Sequence, residues 1–94
     1  VPFRVMETAF QGHEVSGTMI NKGNPNSITD AGVGALAIHT AIEGAWMNVL
    51  VNAADVSGDQ KAQEYIARGK EILEKSAGEK RRQTDLVYKK LEDQ

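Results

Sequence analysis

Ninety-four residues allow one domain with a modest core, and 40% apolar with 26% charged residues is ordinary for a soluble globular chain. A formal charge of −2 gives no strong pull towards nucleic acid or membrane surfaces, so neither is expected as a partner. The absence of cysteine excludes disulfide, zinc-thiolate and thiol-nucleophile chemistry and fits a reducing compartment.

The start, Val1-Pro2-Phe3-Arg4, carries neither an initiator Met nor a signal-peptide pattern, and reads as an excerpt from a longer protein. Pro2 suits the first turn of a helix. Phe3, Met6, Phe10, His13, Gly17 and Ile20 then recur at alternating spacings of three and four, which predicts a first helix over 2–21 with a narrow, mostly apolar seam. Gly12 and Gly17 each lower its intrinsic stability by about 1 kcal/mol relative to Ala, so it needs tertiary support. Asn21-Lys22-Gly23 reads as its end, with Gly23 at the left-handed cap position. Asn24-Pro25-Asn26 reads as a short turn that makes the first two helices neighbours.

A central helix is expected over 28–54, opened by a capping box in Ser27-Ile28-Thr29-Asp30 and uninterrupted by proline. At about 100° per residue, Gly34, Ala37, Ala41, Gly44, Asn48 and Asn52 fall within about 40° of Asp30, and Ala45 lies about 60° away. One face is thus an aspartate, a floor of small residues and two asparagines. Ile38, Ile42 and Val49 flank it on one side; Val33, Leu36, Met47 and Val51 flank it on the other. Apolar flanks on both sides predict a helix shielded on several sides. A membrane span is a poor reading of the same stretch, because Asp30, His39, Glu43 and Asn48 leave no clean apolar run of about 18 residues.

Ser57 or Asp59 is available to cap a third helix, expected over 59–91. Its seam is Ala62, Ile66, Gly69, Leu73, Ala77, Thr84, Val87 and Leu91, and the polar run from Ser76 to Gln83, with Gly78 inside it, predicts a kink or a solvent-spanning stretch. The tail from Leu91 to Gln94 is expected to fray. Three helices are too few to cover the central one. The fold expected is therefore an all-α long-helix bundle forming a single domain over 1–94 and completed by association, most simply as a homodimer or higher homo-oligomer. The small-residue face would let a second helix backbone come close.

Each candidate for chemistry has a plainer alternative. Asp30 either completes the capping box and complements the helix dipole, or takes and returns a proton at a helix mouth. Asn48 and Asn52 either bridge helices or read a heterocycle rich in donors and acceptors. Asp30 and Asn48 stand about 27 Å apart along the axis, so in one chain they cannot hold the same small group; a long ligand or a second chain must unite them. His39 most simply pairs with Glu43 one turn on, and His13 has no evident partner. Two histidines make no metal site, and none is expected. Trp46 and Met47 read as core or interface, and Lys80-Arg81-Arg82 as a solvated basic face partly offset by Glu79.

The stretch Gly23-Asn24-Pro25-Asn26-Ser27-Ile28-Thr29-Asp30-Ala31-Gly32-Val33-Gly34-Ala35, with Gly44-Ala45-Trp46-Met47-Asn48-Val49-Leu50-Val51-Asn52, resembles the cyclodeaminase domain of formiminotransferase-cyclodeaminase and the related bacterial methenyltetrahydrofolate cyclohydrolases. The likeness covers Val1 to about Ala54 well. It concerns the C-terminal part only, since the family's glycine-rich N-terminal segment is not in this sequence. The resemblance implies an all-helical bundle that pairs into dimers, acting in the cytoplasm with a tetrahydrofolate derivative as substrate and no cofactor. It implies closure of 5-formiminotetrahydrofolate to 5,10-methenyltetrahydrofolate with loss of ammonia, or the related hydrolysis. Carried over, Asp30 would manage the proton and Asn24, Asn26, Asn48 and Asn52 would shape the site. The alternative is a non-catalytic oligomerisation module that keeps the family's dimer helices.

Overall fold

The seam of the first helix packs as its spacing predicts. Phe3, Met6, His13, Ser16, Gly17 and Ile20 are all buried along one side of α1 (Pro2–Lys22), which runs antiparallel to α2 (Pro25–Ala54), itself antiparallel to α3 (Gln60–Glu92). This computed structural model describes residues 2–22, 24–54 and 58–93, and the secondary structure within them is entirely helical. The three helices contact one another pairwise and make a rod 54 × 17 × 15 Å. Its length matches the 33-residue α3, about 50 Å at the helical rise. The all-α bundle expected from the sequence is therefore present. The left-handed glycine cap expected at Gly23 and the possible cap at Ser57 lie outside the described residues.

The core is split along the rod. At one end Phe3, Met6, Ile42, Ala45 and Val49 are buried together, with Ile38, Trp46, Ile72 and Leu73 packed against them. At the other end Ile20, Ile28, Ala31 and Val87 form a second cluster, joined by Leu86 and Leu91. Leu91 thus belongs to the packed part of the bundle, and α3 continues to Glu92. Between the clusters, at mid-height of all three helices, the interior turns polar.

Several details differ from the sequence reading. The helix α2 starts at Pro25, because Asn24 is its cap: the Ser27 N–H donates to Asn24 Oδ1 at 3.0 Å, and the Ile28 N–H donates to the Asn24 carbonyl at 2.8 Å. Proline in the first helical position loses no hydrogen bond, and its fixed φ suits the helix. Asn24-Pro25-Asn26 is accordingly a helix start, and Ser27 and Asp30 lie inside the first two turns without forming a capping box. α3 runs as one continuous helix from Gln60 to Glu92, and its polar run does not span solvent. Ser76 and Gln83 are fully buried at 0% exposure and Ala77 faces outward, so the seam follows the heptad Ala62, Gly69, Ser76, Gln83. A seven-residue repeat stays on one side of a slightly supercoiled helix, which keeps polar members facing in if they find partners. Asp59 caps this helix, accepting from the Lys61 N–H at 2.8 Å.

The central helix is covered on one flank only. Ile42, Ala45, Val49 and Ala53 face the core, whereas Val33, Met47 and Val51 are 61%, 60% and 65% exposed. Ala45, grouped by the wheel with the small-residue face, sits at 8% exposure inside the first cluster, because α1 approaches α2 from that side.

Gly69 is needed where α3 meets Trp46. A Cβ there would lie 2.7 Å from Trp46 Cζ3 and 3.6 Å from Met6 Sδ. Gly69→Leu is therefore expected to destabilise the bundle by about 1–3 kcal/mol through overpacking, read as a lower urea midpoint.

Candidate functional site

The outward face of α2 carries the residues singled out for chemistry. Asn26, Asp30, Asn48 and Asn52 are exposed along it, as are Ala37, Ala41 and Gly44 between them, and Asn24 is exposed at the cap just before it. A Cβ at Gly44 would meet nothing within 4 Å, so that side of the helix is open. Because α2 is one uninterrupted 30-residue helix, the acidic group and the distal amides stay about 27 Å apart in one chain. The structure thus sorts the candidates into two groups, Asn24, Asn26 and Asp30 near the start and Asn48 with Asn52 near the end.

The cap geometry replaces the capping-box part of the plainer reading of Asp30. Its carboxylate has no part in closing the helix start, which Asn24 does instead. Asn24→Ala is expected to cost about 1 kcal/mol of stability, typical for loss of an N-cap, in a thermal or urea melt. Asp30→Asn, an exposed change away from the cap, is expected to stay within about 0.5 kcal/mol of the parent.

Among the described residues this face is open along Ala37, Ala41 and Gly44. An open cleft between α1 and α3 is lined by Phe10, Glu14, Thr18, Glu79 and Arg82, with His13 behind them. A small apolar groove between α2 and α3 is lined by Gly32, Val33, Leu36, Val87, Tyr88 and Leu91. Neither contains Asp30 or an asparagine.

The polar interior is the feature that local sequence patterns did not reveal. Ser76 Oγ lies 2.8 Å from His13 Nε2 and 2.9 Å from His39 Nδ1, so one hydroxyl of α3 meets a ring from α1 and a ring from α2. His39 therefore packs inward against Ser76, while Glu43 is exposed; the expected His39–Glu43 pair is replaced. Gln83 Nε2 donates to the His13 carbonyl at 2.8 Å and lies 3.4 Å from Glu79 Oε2. His13 is only 2% exposed, and burial pushes its pKa below the ordinary value, with Glu79 opposing and His39 adding to the depression. Arg82 donates to Glu79 at 2.9 Å, which holds the Glu79 carboxyl below its ordinary range despite partial burial. Arg82 is thus bound to Glu79, so the basic run is partly neutralised within its own helix. The signal that could have located this junction is the seven-residue spacing of Gly69, Ser76 and Gln83.

Among the described residues no group of three or more His, Cys, Asp or Glu is placed to hold a metal ion, and no helix is long and apolar enough to cross a membrane. What the fold and the open face of α2 define is a helical-bundle module that carries a carboxylate and paired amides on the uncovered face of its central helix. A family model described as formiminotransferase-cyclodeaminase matches residues 1–71, all of α1 and α2 and the first third of α3. The chain belongs to the formiminotransferase-cyclodeaminase family, as its likeness in the Asn24 to Asn52 region implied. No curated protein and no solved structure gives a significant match.

Proposed function

We propose that the chain is the helix-pairing part of a folate one-carbon enzyme of the cyclodeaminase type, with a site completed by a second copy. The observation that carries this reading is the outward face of α2, where an uncommitted carboxylate and two amides flank a floor of small residues, in a member of a folate-related family.

An antiparallel second copy gives this face a partner of matching shape. With a two-fold axis about the level of His39, Ala37 meets Ala41 and Gly44 comes level with Gly34, which is half-buried beside Ser16 of α1, because the spacings along the face (30, 34, 37, 41, 44, 48) read the same in both directions. Small side chains at the crossing permit a close approach of about 8 Å between axes. The same operation sets Asp30 of one copy level with Asn48 of the other, and Asn26 level with Asn52. The exposed Val33, Met47 and Val51 beside the face gain cover at the same time. Two equivalent sites result, each holding residues that a single chain keeps about 27 Å apart.

The chemistry suits one carboxylate. N10 of 5-formiminotetrahydrofolate attacks the protonated formimino carbon on N5, forming the new C–N10 bond. Asp30 takes the N10 proton and returns it to the nitrogen that leaves as ammonia, and the cation of 5,10-methenyltetrahydrofolate remains, so charge and protons balance. Asn26, Asn48 and Asn52 would hold the donors and acceptors of the pterin; Asn24 offers its NH2 group and the second lone pair of an oxygen that already accepts from the Ser27 N–H. The related cyclohydrolase reaction exchanges ammonia for water at the same carbon. The competing reading, a non-catalytic association module, rests on the same apolar stripe.

Turnover of 5-formiminotetrahydrofolate, with light scattering on the same sample, tests the proposal. The enzyme reading requires both turnover and a dimer or larger assembly. Assembly without turnover of either folate substrate leaves the module reading.

A further inference from the structure

The His13–Ser76–His39 junction plays no part in the reaction above. We propose that it is an acid-sensitive latch: the Ser76 hydroxyl clamps α1 and α2 to α3 while both rings are neutral, and the bundle loosens as the rings take up protons. A count of hydrogens supports this. Among the described residues the two rings are the only partners of Ser76; a hydroxyl donates once, so at least one ring offers an N–H, and the hydroxyl proton finds an acceptor only where the other ring presents a bare nitrogen. Two neutral imidazoles meet that demand.

The arrangement can be specified further. His13 Nδ1 is buried and has no partner. A hydrogen on that atom would be a stranded donor, rarer in proteins than an unpaired acceptor. The His13 proton is therefore on Nε2, donated to Ser76, and Ser76 donates to His39 Nδ1. Every added proton disturbs this order. A charged His13 carries a hydrogen on the partnerless Nδ1. A charged His39 carries one on Nδ1, which turns the Ser76 proton towards His13 and drives the His13 proton to the same buried atom. With both rings charged, two cations lie at 2.8 and 2.9 Å from one oxygen and the hydroxyl proton has no acceptor.

The surrounding charges do not reverse the sign. From α2 the facing group is His39, which adds to the depression of the His13 pKa; from α3 it is Glu79, which opposes it but is itself engaged by Arg82 and Gln83; on α1 Glu14 lines the same cleft. Burial outweighs Glu79, so the folded protein binds a proton at His13 less readily than the unfolded chain, whose ordinary value is 6.5. Stability is then present above that value and is lost as pH falls below it. Glu79, held below its ordinary 4.5, stays ionised in both states above pH 5 and does not contribute there.

Urea unfolding at pH 7.5 and 5.5, together with imidazole nitrogen NMR of the intact chain, tests the latch. The unfolding constant is expected to rise towards tenfold per proton for each pH unit below 6.5. His39→Gln is expected to flatten that rise and to bring the His13 titration closer to its ordinary value. The spectra at pH 7.5 are expected to place both ring protons on Nε2. Equal unfolding constants at the two pH values would overturn the proposal. So would a His13 ring that titrates at its ordinary value in the wild-type chain, a result that stands even if the variant fails to fold.

Discussion

Asp30→Asn is expected to lower turnover of 5-formiminotetrahydrofolate by about a hundredfold to ten-thousandfold, the range a positioned acid–base group contributes. The amide keeps the size and the outward position of the side chain but cannot accept the N10 proton. Because Asn24 caps α2 and Asp30 is exposed, fold and assembly should survive the change, with unfolding midpoint and particle mass as in the parent. Loss of activity with an unchanged midpoint separates a chemical role from a structural one. A fall in the midpoint without loss of turnover would restore Asp30 to the helix start.

Ile42→Ala is expected to have the largest effect on stability, about 2–5 kcal/mol, because it leaves a cavity in the cluster that joins α1 to α2. Ile42 is at 0% exposure among Phe3, Met6, Ala45 and Val49. Domains of this size hold roughly 5–15 kcal/mol in total, so the loss is a large share and should appear as a much lower urea midpoint. Removing an equally large apolar side chain from the other flank, as in Met47→Ala, should leave the isolated chain nearly as stable, since Met47 is open to solvent. Its effect belongs to the contact between copies.

The seam of α1 was legible because apolar residues recur there at helical spacing along one narrow stripe. The start of α2 was misread because two start signals overlap. Ser27-x-x-Asp30 has the form of a capping box, while Asn24 followed by Pro25 is an equally good N-cap with proline in the first position, and the latter holds the chain. The polar run of α3 was misread because polarity stood in for exposure. Ser76 and Gln83 are buried only because His13 and His39 meet them from positions 63, 37 and 70 residues away, and no local pattern contains such partners. The open face of α2 follows from number: three helices supply two neighbours to α2, enough for one flank. The face bearing Asp30, Asn48 and Asn52 was legible on the wheel. Which flank would be left uncovered was not, since both are apolar.

In the proposed assembly each site draws its aspartate and its distal amide from different copies. Asp30→Asn and Asn48→Ala, each strongly impaired alone, can be unfolded, mixed in equal amounts and refolded, and turnover measured on the mixture. A mixed dimer carries both lesions in one site and none in the other, so the account predicts recovery to about a quarter of wild-type activity when copies pair at random. A mixture no more active than either variant alone, with dimers present, would contradict it.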